Sequence, residues 1–272
     1  MWAVLALTSA CGSSSEKAKT VDIATTTSVV NSSLLDSLLP AFQDDTGITV
    51  RVHAAGSGRA LEMLNDGVVD LAISHAPQAE SSMLARHADW QYRKIASNQF
   101  VLVGPANDPA DVHSAPDIVS AFTRMAAAGA YFISRGDGSG THERESELWA
   151  SAQATPAAGR MLISGAGMGA TLRQANERGA YTLTDDSTFM QLRKQLLLSV
   201  LFSKDARLVN SYSVVYPREN PAAAALGDWL AHGKGRALIG AYRINGTQAF
   251  TPWPEGCPGD RPTSALCDRE RH

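Results

Sequence analysis

The 272-residue chain is poor in aromatic side chains, which make up 7 % of it, and it holds only three cysteines. No histidine stands near those cysteines at zinc-finger spacing, so they make a poor metal centre. A surplus of positive charge is also missing. Against 24 lysines and arginines stand 27 acidic residues, a formal net charge of −3, and the interspersed signs give no basic face of the kind nucleic acids require. Hydrolase signatures are absent too. There is no H-E-x-x-H pair, and Ser139 has Asp137 and Thr141 two residues to either side where a nucleophile elbow needs glycines. Gly165 to Ala170 fits the G-x-G-x-x-[GA] dinucleotide pattern, but it comes far into the chain, whereas a nucleotide-binding lobe shows it at its first strand-to-helix turn. No enzyme class and no cofactor are therefore supported.

What the chain does have is a set of hydroxyl- and glycine-rich turns between strand-like and helix-like runs. The richest is Ser134-Arg135-Gly136-Asp137-Gly138-Ser139-Gly140-Thr141-His142. It follows the apolar run Tyr131-Phe132-Ile133 and precedes a helix-like segment. Glycines let the backbone approach a ligand, Ser139 and Thr141 offer hydroxyls, and unpaired amides at a helix start favour negative charge. Arg135 adds a planar fork able to grip two oxygens at once. A solvated surface turn would read similarly in isolation. Thr25-Thr26-Thr27-Ser28 and Gly56-Ser57-Gly58 repeat the device after two earlier strands. Helix capping or a tight turn explains either one alone, but open α/β sheets gather such turns at one edge. Three of them point to an anion site built from neutral donors and one arginine. Gly167 to Thr171 opens another helix towards the same place.

Alternation of strand-like and helix-like segments predicts an α/β fold with mostly parallel sheets. One set runs from Thr20 to about Val103, the break Gly104-Pro105 with Asn107-Asp108-Pro109 follows, and a second set runs from Ser114 to about Phe202. The strand-like run Leu208 to Tyr216 and the helix-like run Ala222 to Tyr242 complete the chain. The expected architecture is two lobes, the first interrupted by the second. Its parts are 21–102 and 205–250 for one lobe and 103–204 for the other, with two crossing strands as a hinge.

In their order along the chain, these residues resemble the tungstate-binding components of ABC transporters, within the type II periplasmic solute-binding proteins. The match is carried by Thr25-Thr26-Thr27-Ser28, Leu38 to Phe42, Val69-Asp70 through His75-Ala76-Pro77, Phe100 to Pro105, Ser134 to Asp137 with Ser139 to His142, Gly167 to Leu172 and Tyr181 to Asp185. It covers about Val21 to Phe250. The resemblance implies a two-lobed receptor, each lobe a mixed sheet flanked by helices, that closes on tungstate or molybdate and delivers it to a permease and its ATPase. It implies no catalysis, no cofactor and a monomer. The ligand-binding residues it implies are Thr26, Thr27, Ser28, Ser57, Gly58, His75, Arg135, Ser139, Gly140, Thr141 and Thr171, with Asp137 orienting Arg135.

A phosphate receptor resembles the stretch Arg135 to Thr141 as well, and a sulfate receptor or an enzyme acting on a phosphorylated substrate are further alternatives. Protonation separates phosphate from tungstate. Near pH 7 phosphate keeps a proton that needs an acceptor, and a carboxylate facing a fully deprotonated anion is repulsive. Phosphate receptors carry Ser-Asp-Ala-Pro where this chain has Ser74-His75-Ala76-Pro77. The acceptor is replaced by His75, which can donate or carry charge.

Met1 to Cys11 is apolar, ends in small residues and a cysteine, and resembles the end of a bacterial lipoprotein signal, although it has no Lys or Arg before the apolar run. Cys11 is then the expected lipidation site, with residues 1–20 as signal and tether and a periplasmic or cell-surface location. Cys257 and Cys267 lie in a proline- and glycine-rich extension, 251–272, which the resemblance does not cover. In an exported protein they are expected to form a disulfide.

Overall fold

A computed structural model describes residues 19–262. Cys11 and Cys267 lie outside the described residues. The chain begins with β1 (Thr20–Thr26), α1 (Thr27–Asn31), α2 (Leu34–Thr46), β2 (Thr49–Ala55), α3 (Ser57–Asn65), β3 (Leu71–Ser74) and α4 (Pro77–Leu84). The long strand β4 (Trp90–Pro105) then leads to α5 (Ile118–Ala127), β5 (Phe132–Ser134), α6 (Gly140–Ser151), β6 (Met161–Ile163), α7 (Met168–Arg178), β7 (Thr182–Asp185), α8 (Asp186–Leu192) and β8 (Leu198–Phe202). It ends with β9 (Val209–Pro217), α9 (Pro221–Ala231), α10 (Gly233–Ala241) and the short β10 (Arg243–Ile244), β11 (Thr247–Gln248) and β12 (Thr251–Pro252).

β4 organises the molecule. Its first part, Trp90 to Gln99, pairs antiparallel with β9, and through β9 joins β3, β1 and β2 in one sheet. Its last part, Phe100 to Pro105, pairs antiparallel with β7 and β8. One strand thus serves two sheets. The strands that carry the hydroxyl-rich turns are parallel neighbours, β1 with β2 and β3, and β5 with β6, so those turns leave the sheets at the same ends. The sheets are mixed: apart from the short β10–β11 hairpin, the antiparallel pairings among the described residues all involve β4 or β9, and β4 crosses between the sheets.

Period-2 alternation in the strands divides the core into four clusters, two per sheet. Val21, Ile23, Ile73 and Val214 face α2, α9 and α10, while Ala24, Ala72 and Val215 face α3 and α4. In the second sheet Phe100, Leu102 and Leu183 face α5 and α6, while Val101, Val103 and Ile133 face α7 and α8. Phe42 of α2 is fully buried, and such a side chain contributes about 2–3 kcal/mol by burial.

Three boundaries differ from the sequence pattern for local reasons. The helix-like run 31–45 is broken at Ser33, whose φ of 59° is left-handed, and α2 starts after it. The run 222–242 is two helices, because His232 leaves the helical region and Gly233 follows with φ 55°. α4, opened by Pro77 at its first position, lacked a clear apolar period. Residues 251–262 are ordered against the first sheet: β12 extends it beside Ser97 and Ala96, and the Lys94 amide donates to the Gly259 carbonyl at 2.8 Å. Cys257 is disulfide-bonded.

Candidate oxyanion-binding site

The turn after β5 is shaped by two left-handed glycines, Gly136 at φ 60° and Gly138 at φ 68°. At Gly136 a side chain would also collide with Ile163. Between the glycines, Asp137 accepts from the Ser139 amide at 3.1 Å through Oδ1 and from the Arg135 guanidinium at 2.5 Å through Oδ2. Burial works against the charge on Asp137, but Arg135 and the Ser139 bonds outweigh it and hold its carboxyl below the usual range. Both oxygens of the turn's own carboxylate are therefore engaged. Ser139 caps α6 by accepting from the His142 amide at 3.3 Å, and the Gly138 amide donates to His142 Nδ1 at 3.0 Å. Gly140 and Thr141 are the first two helical residues, whose amides have no intrahelical acceptor.

Arg135 is 2 % exposed. Its Nε donates to the Ala166 carbonyl at 2.9 Å, while its NH1 meets only the Met168 sulfur at 3.6 Å. A thioether is a weak acceptor, so a buried charged donor keeps hydrogen-bonding capacity. Beneath the turn, Glu145 accepts from the Ser134 hydroxyl and from the Arg135 amide. Burial is the main cause that raises its carboxyl to about 7. Thr141 is fully buried and its hydroxyl has no partner. A buried hydroxyl left unpaired costs about 1–3 kcal/mol, and Thr141 shares that state with Thr25 and Thr188.

The turns of the first sheet meet this one. A Cβ on Gly58 would lie 3.2 Å from the Gly138 carbonyl oxygen, and one on Gly56 would lie 3.8 Å from the Ser139 Cβ. Gly140 presses on the His75 backbone so closely that a Cβ would sit 2.7 Å from the carbonyl carbon. A Cβ on Gly167 would lie 3.2 Å from Thr27 Oγ1, beside the Ala166 carbonyl that holds Arg135. Turns 26–28, 56–58, 135–141 and 166–168 are thus drawn to one seam between the sheets.

The hydroxyls in this seam divide by what they do with their protons. Ser57 Oγ accepts from the His75 amide at 3.2 Å, and Ser139 Oγ accepts from His142, so both protons are left to donate elsewhere. Thr26 Oγ1 and Ser28 Oγ lie 2.9 Å apart, and Thr26 caps α1. Thr171 is different. Its hydroxyl donates to Ser164 Oγ at 2.9 Å and braces its own turn.

His75 also departs from the expectation. Asn210 Nδ2 donates to Asn98 Oδ1 at 2.8 Å and to the Tyr212 hydroxyl at 2.9 Å, so Asn210 Oδ1 accepts from His75 Nδ1 at 2.8 Å. The ring stacks on Tyr212, and burial pushes it down to about 4. It is neutral near pH 7, with Nδ1 engaged, and brings no charge to an anion. Asn98 further donates to Ser187 Oγ at 3.2 Å, and Ser187 to Asp185 at 2.5 Å. This buried chain runs across the point where β4 and β9 pass from one sheet to the other, at the pair Asn98 and Asn210. Its sequence signal was polar Ser97-Asn98-Gln99 inside an apolar strand.

Residues 13–234 match the signature of a PBP superfamily domain. The tungstate-binding protein TupA of Peptoclostridium acidaminophilum is 39 % identical over 241 residues, spanning 85 % of this chain and 84 % of that protein. The solved structure of the tungstate ABC transporter protein of Geobacter sulfurreducens superposes with a TM-score of 0.75 at 35 % identity, covering 82 % of this chain and 98 % of the other. TupA from Desulfovibrio alaskensis G20 gives a TM-score of 0.74 at 34 % identity over 86 % of this chain and 99 % of that one.

Proposed function

From a chain that belongs to the PBP superfamily and, within it, to the tungstate-binding proteins of ABC transporters, we propose that it captures tungstate, with molybdate as a close second ligand, and delivers it to a membrane permease. One observation carries the reading: a buried arginine with donor capacity left over and a buried unpartnered Thr141 hydroxyl share one seam between two sheets. The ligand set is Thr27, Ser28, Ser57 and Gly58 from the first sheet, with Arg135, Ser139, Gly140 and Thr141 from the second. Asp137 holds the guanidinium in place.

Two lobes form this seam, 21–102 with 205–250, and 103–204, joined by β4 and β9. Donors on both reward closure, because an anion bridging them binds the closed state better than the open one. The protein is a monomeric periplasmic receptor, lipid-anchored at Cys11, that binds and releases its cargo unchanged and works with a permease and an ATPase. Fully deprotonated tungstate suits a site whose own carboxylate has both oxygens engaged.

A thermal-shift panel with tungstate, molybdate, sulfate and phosphate tests the assignment. A ligand at about a hundred times its Kd stabilises the folded state by about 2.7 kcal/mol. Tungstate is expected to raise the melting temperature at micromolar concentration while phosphate does not. Stabilisation by phosphate alone would turn the assignment to the phosphate reading.

A further inference from the structure

α4 begins with a deficiency. Its N-cap is Ala76, which has no side-chain oxygen, and Pro77 follows, so the amides of Gln78 and Ala79 lack a local cap. The structure supplies the cap from the other sheet. Glu143 of α6 accepts from the Gln78 amide at 2.7 Å and from the Ala79 amide at 3.4 Å. One turn further along α6, Glu147 accepts from the Gln78 side chain at 2.7 Å. α4 packs in the cluster of the first sheet and α6 in that of the second. These bonds therefore cross the seam.

The placement of the two carboxylates makes little sense without that crossing. Glu143 and Glu147 are like charges four residues apart on one helix face, an arrangement that disfavours an isolated helix. Arg144 offsets part of this by pairing with Glu147 at 2.8 Å. Across the seam, the helix start of α4 presents unpaired amides and its partial positive charge. The same helix α6 that offers Gly140 and Thr141 to an anion thus reaches over to the first lobe with Glu143 of that same first turn and with Glu147 one turn on. A rigid-body movement that seats an anion on α6 would carry the acidic pair to α4 with it.

We propose that Glu143 and Glu147, with the N-terminus of α4, form a closure latch that sets how tightly the receptor holds its oxyanion without touching it. The proposal rests on the oxyanion reading for its effect on affinity, and on the contacts alone for its effect on closure. In the open form these acids and amides are returned to water, so the bonds count only towards the closed state.

The test uses spin labels at Glu62→Cys and Thr123→Cys, one on each lobe, in the full-length protein with and without Glu143→Ala. Without any anion, Glu143→Ala is expected to lower the short-distance population. With tungstate, it is expected to weaken binding by about five- to thirtyfold, mostly through faster release. Glu143→Gln, which keeps one acceptor, should fall between. Identical distance distributions in the unliganded proteins would overturn the latch. A wild type indifferent to tungstate would instead overturn the ligand assignment, while the unliganded comparison still decides the latch. Neither change touches a lobe core, so unaltered circular-dichroism melts are expected.

Discussion

Replacing Arg135 by alanine does two things at once, and their sum can be worked from the contacts. The first is loss of the charged hydrogen bonds to the anion, about 1.5–3 kcal/mol for each such bond. The second concerns Asp137, whose side chain is 19 % exposed and whose Oδ2 is matched by the guanidinium. Without Arg135 that carboxylate faces the anion unneutralised. If the anion sits ~6 Å from that carboxylate, like charges at an effective dielectric of ~20 repel by about 3 kcal/mol per charge pair. Arg135→Ala should then weaken tungstate binding by at least about a thousandfold, well beyond the loss of one bond. The repulsive part can be isolated. Adding Asp137→Asn removes the charge while keeping an oxygen for the Ser139 amide, so the double variant should recover about ten- to a hundredfold of the lost affinity. Titration calorimetry on the four proteins gives the cycle. If Asp137→Asn fails to improve binding in the Arg135→Ala background, the charge accounting is wrong. If Arg135→Ala binds as tightly as wild type, the arginine is not in the site.

The other predictions separate folding from closure and protonation. Gly140→Ala should abolish tungstate binding yet leave the unliganded melting temperature almost unchanged, since its clash with His75 is between lobes and opening relieves it; a melting temperature lowered as much as binding would refute this. Thr141→Val should weaken tungstate binding about tenfold while leaving the unliganded protein as stable or slightly more so, because the hydroxyl it removes has no partner. Loss of stability in the denaturant midpoint would show that the hydroxyl serves the fold. Glu145 is raised from 4.5 to about 7, chiefly by burial. The folded state keeps a proton that the unfolded chain loses, so this stabilisation is full below about pH 4.5 and fades as pH rises to 7. Glu145→Gln should flatten that slope and be more stable at pH 8 by on the order of 1–3 kcal/mol, read by urea unfolding from pH 5 to 8. Asp186, raised to about 7 by burial and Asp185, keeps a residual slope in the variant. A variant with the wild-type slope would refute the role given to Glu145.

Much of the fold was legible because the strands alternate cleanly. Val21 and Ile23 against Ala24, or Phe100 and Leu102 against Val101 and Val103, assign opposite faces by period alone. The first half of β4 was not, because Arg93, Lys94, Ser97 and Asn98 interrupt its apolar run. Asn98 is polar for a tertiary reason, in that it is completed by Asn210 and Ser187, 112 and 89 residues away. The hydroxyl-rich turns were legible because each carries its own local chemistry. The latch was not, since nothing near Ala76 reveals that its missing cap is supplied by Glu143.

At His75 the sequence and the structure assign the ring different tasks. In the sequence a histidine stands after β3 where a carboxylate acceptor would serve phosphate, and a histidine there can donate or carry charge. The missing carboxylate remains the reason to prefer a deprotonated anion, because a neutral ring is a far weaker partner for a phosphate proton than a negative charge. The donor role depends on where the ring points, and the Asn210 amide decides that: its nitrogen is committed to Asn98 and Tyr212, so its oxygen must take the His75 proton. A protonated ring would put a second cation deep in the fold beside Arg135, and burial excludes it near pH 7. On the proposed reading, discrimination then rests on neutral donors and one arginine, while the histidine braces the crossing strands through Asn210.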